Sequence, residues 1–243
     1  MRHQGQFEDK LFGSSDMIWD AFAYKRAGIA RLQGEERSQR LAARTADEVE
    51  EGRQRILDVA ERLIRRLGHP KTTMATIAWE LGTSRSTIYR HFPSKEALEE
   101  QVCRRIVSRM VRQVRDALTE KQQAFDQLTT LLTDLGRQTF SRMALEPHLH
   151  HLFVEAFRNR WHVATEYLRE VRDLIEGVVL KGQAEKTFVP GDGNKIMTFI
   201  MGAMLVFVNP GLTELLSFDD SELSVDLAAH VKSVVSSIAR EKL

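Results

Sequence analysis

The sequence predicts an all-α protein, on three observations. Apolar residues recur at helical rather than alternating spacing, as in Ile56, Ala60, Leu63, Ile64 and Leu67, and again in Leu98, Val102, Ile106 and Met110. Prolines occur only at positions 70, 93, 147, 190 and 210, each where a helix would begin or end. Hydrophobic residues make up 42% of the chain and charged residues 28%, an ordinary balance for a protein that folds around a core.

The first 47 residues are the least readable part. Met17 to Leu32 has the apolar and aromatic residues for one amphipathic helix, and Gly34 to Asp47 is polar enough to extend the next helix backward, so an ordered helix and a flexible arm both stay open. Helices are then expected at 48–67, 74–81, 85–92, 95–118, 122–143, 147–158, 160–181, 193–208 and 222–240. The strongest punctuation lies in Lys181 to Asn194, where Gly182, Pro190, Gly191 and Gly193 predict a surface loop.

The informative window runs from Thr72 to Phe92. Met74, Ile77, Ala78 and Leu81 give a short helix one apolar face, with Ala78 small enough for a second helix to approach. Gly82 supplies the left-handed backbone that ends it. Ser84 is placed to cap the next helix, whose Ile88 and Phe92 turn inward while Arg85, Ser86, Thr87, Tyr89 and Arg90 are left outside. Pro93-Ser94-Lys95-Glu96 ends that helix and starts another, with Ser94 as cap and Glu96 in the first turn, where the helix dipole favours an anion. These are the parts of a helix-turn-helix, with hydrogen-bond donors for bases and phosphates on its exposed face.

Charge agrees with that placement. Residues 49–115 hold 14 Lys and Arg against 8 Asp and Glu, whereas residues 116–243 hold 13 against 18, so the basic segment is the one suited to a polyanion.

From Gly82 to Leu98 the chain resembles the TetR family of transcription regulators: glycine, threonine, tyrosine, phenylalanine, lysine and leucine fall at the family's spacing, and the preceding helix, Arg53 to Leu67, stands in its expected place. The resemblance covers about a quarter of the chain. It implies a three-helix DNA-binding head at 48–98, a long fourth helix, and a divergent helical body at 99–243 that dimerises and binds an effector, with residues 1–47 as an N-terminal extension. Carried over by position, it makes Arg85, Ser86 and Thr87 the base-edge readers, Tyr89 and Lys95 the phosphate contacts, and Thr73 a backbone contact. Arginine in a recognition helix can read guanine bidentately. Trp79 and His91 are expected to be structural, and Ala75 offers no side chain to a phosphate.

In the second half, Phe140, Met143, Phe153, Phe157, Trp161 and Met201 recur at helical spacings. Such residues fill helical cores; if the body holds an effector pocket, these are its candidate lining, and an apolar or amphiphilic small molecule is the expected ligand. His148, His150 and His151 follow Pro147 at a spacing that does not bring all three onto one helix face, so no metal site is expected and a structural or solvent-facing cluster is. Lys195 to Val208 and Leu223 to Ala239 are apolar enough to share a dimer interface, with Gly202, Ala203, Ala228 and Ala229 permitting close approach.

The single cysteine, Cys103, excludes an intramolecular disulfide and is expected to pack inside a helix. The longest apolar stretch, Ile196 to Val208, is interrupted by Thr198 and Gly202 and falls short of the roughly 20 residues that span a bilayer. The N-terminus lacks a secretory pattern, so a cytoplasmic protein without a membrane partner is expected. The resulting expectation is a ligand-responsive repressor that binds a palindromic double-stranded DNA operator as a homodimer, with no cofactor and no catalytic residue. A regulator without an effector, and an enzyme carrying the basic head as an accessory, are the alternatives; no phosphate loop, nucleophile elbow or metal-helix motif supports the enzyme.

Overall fold

The computed structural model describes residues 47–119, 122–215 and 220–240, without the side chains of Leu215 and residues 220–226. The expected helix over Met17–Leu32, and the rest of the N-terminal extension up to residue 46, lie outside the described residues. The chain divides into two units, Met1–Gln54 and Arg55–Leu243; of the first, only the helical residues 47–54 are described.

Among the described residues the fold is all-α. Helix α1 covers residues 47–67. It is followed by α2 (Met74–Glu80), α3 (Arg85–His91), α4 (Lys95–Ala117), α5 (Ala124–Leu145), α6 (Pro147–Arg158), α7 (His162–Ala184), α8 (Gly193–Ala203), α9 (Leu205–Val208), α10 (Pro210–Leu215) and α11 (Asp220–Ile238). One isolated antiparallel bridge, Phe188 with Ala239, joins the loop after α7 to the end of α11.

The short helices are set by their caps. Thr73 and Thr76 form a reciprocal capping box at the start of α2, and the Ser84 and Ser94 hydroxyls accept from the backbone N–H groups of Thr87 and Ala97. Each bond satisfies an amide that the first helical turn leaves unpaired. Between α2 and α3, Gly82 takes φ +63, the left-handed conformation that the turn requires.

Two departures from the expected elements have local causes. The helix expected over 193–208 breaks at Met204, whose N–H turns back to the Ile200 and Gly202 carbonyls. Gly202, the weakest helix former in that stretch, lies in the last turn before the break. The second departure is α10, absent from the expected set. The Asn209 side-chain oxygen accepts from the Gly211 and Leu212 N–H groups at 3.0 and 3.3 Å, so Asn209-Pro210 is a cap followed by a first-position proline.

One core cluster runs from Ile56 to Ile238. Ile56, Ala60, Leu63 and Ile64 of α1 meet Ile77, Ala78, Ile88 and Phe92, which closes the helix-turn-helix on its inner face. In the body, α5 is central. It packs against α4, α6, α7, α9, α10 and α11, and its Leu128, Leu131, Leu132 and Leu135 are fully buried. A Cβ at Gly136 would stand 2.6 Å from Leu227 Cδ1, so that glycine lets α11 lie close. Cys103 is fully buried, and burial drives its thiol far above the ordinary range, so it is core and not a reactive thiol.

Candidate nucleic-acid interface and body cavity

Helix α3 is held by one buried face. Ile88 is 0% exposed and the adjoining Phe92 1% exposed, which leaves Arg85, Ser86, Tyr89 and Arg90 facing outward and Thr87 half-buried. Arg85 has no hydrogen-bond or ion-pair partner among the described residues, so its five donors are available. Ser86 and Thr87 are engaged locally: their hydroxyls lie 2.7 and 3.0 Å from the Ser84 hydroxyl, around the cap. Tyr89 is half exposed.

Thr73 is exposed at the head of α2, but its hydroxyl is occupied as the cap, accepting from the Thr76 N–H at 3.1 Å. Lys95 lies in the first turn of α4 with Nζ 3.3 Å from Glu99 Oε1, and His69 Nδ1 stands 3.5 Å from the same oxygen. Burial pushes the Glu99 carboxyl above the ordinary carboxylate range, against the pull of Lys95. Trp79 corrects the expectation of a structural role: it is 81% exposed, because α2 turns Met74, Ile77 and Ala78 inward and puts position 79 on the opposite face. His91 is half-buried.

The body contains a small, partly open cavity among α4, α5, α6, α7 and the α9–α10 junction. Of the six residues named from sequence, Phe153 and Phe157 line it. Phe140 packs edge-on against Phe207 at 5.9 Å, and Met143, Trp161 and Met201 are half-buried outside the lining. The rest of the lining is half apolar, with Val107, Met110, Val208 and Pro210, and half polar, with Thr139, Arg142, His150 and Tyr167. Burial pushes Arg142 down to about 10 and Tyr167 up to about 12, so at neutral pH the first stays a cation and the second a protonated phenol. The cavity measures about 20 Å³, room for about one water molecule.

His148 stands beside Gly68 with Nδ1 3.2 Å from where a Cβ would be, His150 is buried, and His151 Nε2 lies 3.7 Å from Glu214. Three successive roles on one helix follow from its 100° step per residue. Among the described residues no cluster of three or more His, Cys, Asp or Glu side chains is arranged to hold a metal, and no helix is long and apolar enough to cross a membrane.

Comparison with known proteins agrees with this geometry. The family model described as "Bacterial regulatory proteins, tetR family" matches residues 56–102, and one described as "Tetracyclin repressor-like, C-terminal domain" matches residues 124–229. The HTH-type transcriptional regulator AcrR of Shigella flexneri is 40% identical over 62 residues, 26% of this chain; the match spans 29% of that curated relative. Among solved structures, RolR in complex with resorcinol is 18% identical at a TM-score of 0.57, covering 81% of this chain and 98% of its own. A transcriptional regulator from Cytophaga hutchinsonii is 19% identical at a TM-score of 0.57, covering 76% and 97%. FadR from Bacillus subtilis in complex with stearoyl-CoA is 20% identical at 0.53, covering 75% and 95%. At these identities the solved structures share the fold, and the sequence matches supply the family. With one family model on the helix-turn-helix and another on the body, the chain belongs to the TetR family of DNA-binding transcription regulators.

Proposed function

We propose that the protein is a ligand-responsive repressor that binds a palindromic operator as a homodimer, with 48–98 as the reading head and 99–243 as the body. The observation that carries the DNA-reading part is α3, whose inner face is sealed by Ile88 and Phe92 while an unpartnered Arg85 projects outward beside Ser86. Arg85, Ser86 and Thr87 then read base edges in the major groove. Tyr89, Thr73 and Lys95 contact the backbone, with Glu99 competing with phosphate for Lys95.

Assembly is supported by the outer face of α8, α9 and α11. Phe199 and Leu205 are 45% and 41% exposed, Gly202 has open space where a Cβ would be, and Ala228 and Ala229 are exposed on α11. A two-fold contact there would bury large apolar side chains against small ones. Dimerisation also answers a physical need, because one short recognition helix specifies few bases and two half-sites raise both affinity and specificity.

The head and the cavity are physically linked. Glu146, at the α5–α6 junction, pairs with Arg65 of α1 and stands 3.7 Å from Arg142 Nε, while α6 also sets His148 against Gly68. A ligand that moves Arg142 or α6 therefore acts on the helix behind the reading head. RolR holds resorcinol and FadR stearoyl-CoA in structures that share this fold, which supports a body able to open around a small molecule. The small size of the cavity, about 20 Å³, favours the second reading, a regulator that needs no effector.

Selection from randomised duplexes followed by binding titrations tests the assignment. Arg85→Ala is expected to relax discrimination at one symmetric base position by about 1–3 kcal/mol. Lys95→Gln is expected to weaken binding to selected and random duplexes alike and to flatten its salt dependence. Wild-type preference retained by Arg85→Ala would remove that residue from base reading.

A further inference from the structure

The body cavity has an unusual division of labour. Val107, Met110, Phe153 and Phe157 make most of it apolar, yet Arg142, His150 and Tyr167 also face it. His150 is 2% exposed and its Nε2 has no hydrogen-bond partner. The Arg142 Nε is likewise buried without a hydrogen bond: the nearest carboxylate oxygen, Glu146 Oε2, lies 3.7 Å away, and the other oxygen of that carboxylate pairs with Arg65 of α1. The Arg142 guanidinium is stacked over the Phe153 ring, 5.0 Å from its centroid. Buried polar groups left unmatched on an otherwise apolar wall are costly to the folded protein and mark a place where a ligand's polar atoms can take up the bonds.

The sign of the missing partner follows from this set. A buried guanidinium calls for an anion, and its planar fork matches a carboxylate bidentately. Tyr167 keeps its proton and can donate to the same group, since burial raises its pKa. Burial lowers the His150 pKa and keeps its imidazole neutral, so it adds a hydrogen bond without a second charge. One cation within an apolar lining suits a monoanion, whereas a phosphate dianion would need further donors. Arg142 also lines an open groove with Gln113, Gln138 and Glu146, so its side chain borders both that groove and the cavity.

We propose that this cavity binds a small organic monocarboxylate with a ring or short-chain apolar body, the carboxylate held by Arg142 with Tyr167 and the apolar part against Phe153 and Phe157. The proposal rests on the ligand-responsive reading and names its effector class. Binding moves Arg142 off its present position, which opens the space beyond one water and leaves Arg65 as the remaining partner of Glu146.

Calorimetric titration of the full chain with benzoate and hexanoate, beside the neutral benzamide and hexanamide, tests it. At least one carboxylate is expected to bind about tenfold or more tightly than its amide, to raise the melting temperature, and to weaken binding to a selected duplex. Arg142→Met should abolish the preference for carboxylate over amide. Arg142→Lys keeps the charge without the fork, and should retain part of the preference; it also provides a folded comparison if the methionine variant does not fold. Amides that bind as well as the carboxylates would overturn the anion assignment and leave the ligand-responsive reading standing. A carboxylate preference unchanged in Arg142→Met would move the anion site elsewhere and overturn the proposal. Absence of binding by all four probes would sink both this proposal and the cavity as an effector site, and favour the effector-independent regulator.

Discussion

Phe199→Glu combined with Leu205→Glu is expected to convert the proposed dimer into a folded monomer and to lower affinity for a selected palindromic duplex by about 100-fold or more. Both side chains lie on the outer face of α8 and α9, 45% and 41% exposed, so they contribute little to the chain's own core. Four carboxylates brought together across a two-fold axis repel one another and lose the apolar burial that the wild-type residues would supply. Sedimentation gives the mass, and circular dichroism confirms that the monomer stays folded. Deleting everything after Val189 would be a poorer test, because Met197, Ile200, Val231 and Val235 are core residues and their loss would unfold the body. A double variant that still sediments as a dimer with wild-type operator affinity would move the interface to another surface.

Phe188→Ala is expected to destabilise the chain by about 3–5 kcal/mol, a large part of the roughly 5–15 kcal/mol that holds a typical domain together. Phe188 is 1% exposed in the loop between α7 and α8 and packs against Gly182, where a Cβ would come within 2.0 Å of its ring. Backbone bonds on both sides, Val189 N–H to Ile238 O at 2.9 Å and Arg240 N–H to Thr187 O at 2.8 Å, tie this loop to the end of α11. Removing the ring leaves a cavity at the point where α7 and α11 are joined. The melting temperature should fall by about 6–20 °C. Gly182→Ala should also destabilise, by overpacking, and the double variant should cost less than the sum of the two because the added methyl enters the space the ring vacates. Strict additivity would show that the close approach at Gly182 is not an energetic lock.

Local chemistry made the reading head legible. Gly82, Ser84 and Ser94 each act within three or four residues of themselves, as a left-handed turn or as caps, so their roles follow from spacing alone and recur in the structure, whereas the capping role of Thr73 is a finding of the structure. The inward Ile88 and Phe92 follow from the same helical period. Asn209-Pro210 carried an equally local signal for α10. The proline marks a helix boundary, and the asparagine before it caps the short helix that apolar periodicity does not show.

The body was legible as helices and not as a site. Periodicity marks an apolar face but does not say which neighbouring helix meets it, so Phe140, Met143, Trp161 and Met201 could not be separated from Phe153 and Phe157 before the packing of α4 to α7 was known. Polar groups were harder still. Arg142 and His150 look like surface residues in sequence, and only the packing of α5 and α6 brings them to the cavity lining and leaves the Arg142 Nε and His150 Nε2 buried without a hydrogen-bond partner. The sequence by itself determined the helical class, the helix-turn-helix and the residues on its outer face, because those depend on neighbours a few positions away. Which side chains surround the cavity, and that Glu146 joins Arg142 of its wall to Arg65 of α1, came from the tertiary structure, because each depends on contacts between segments far apart in the chain.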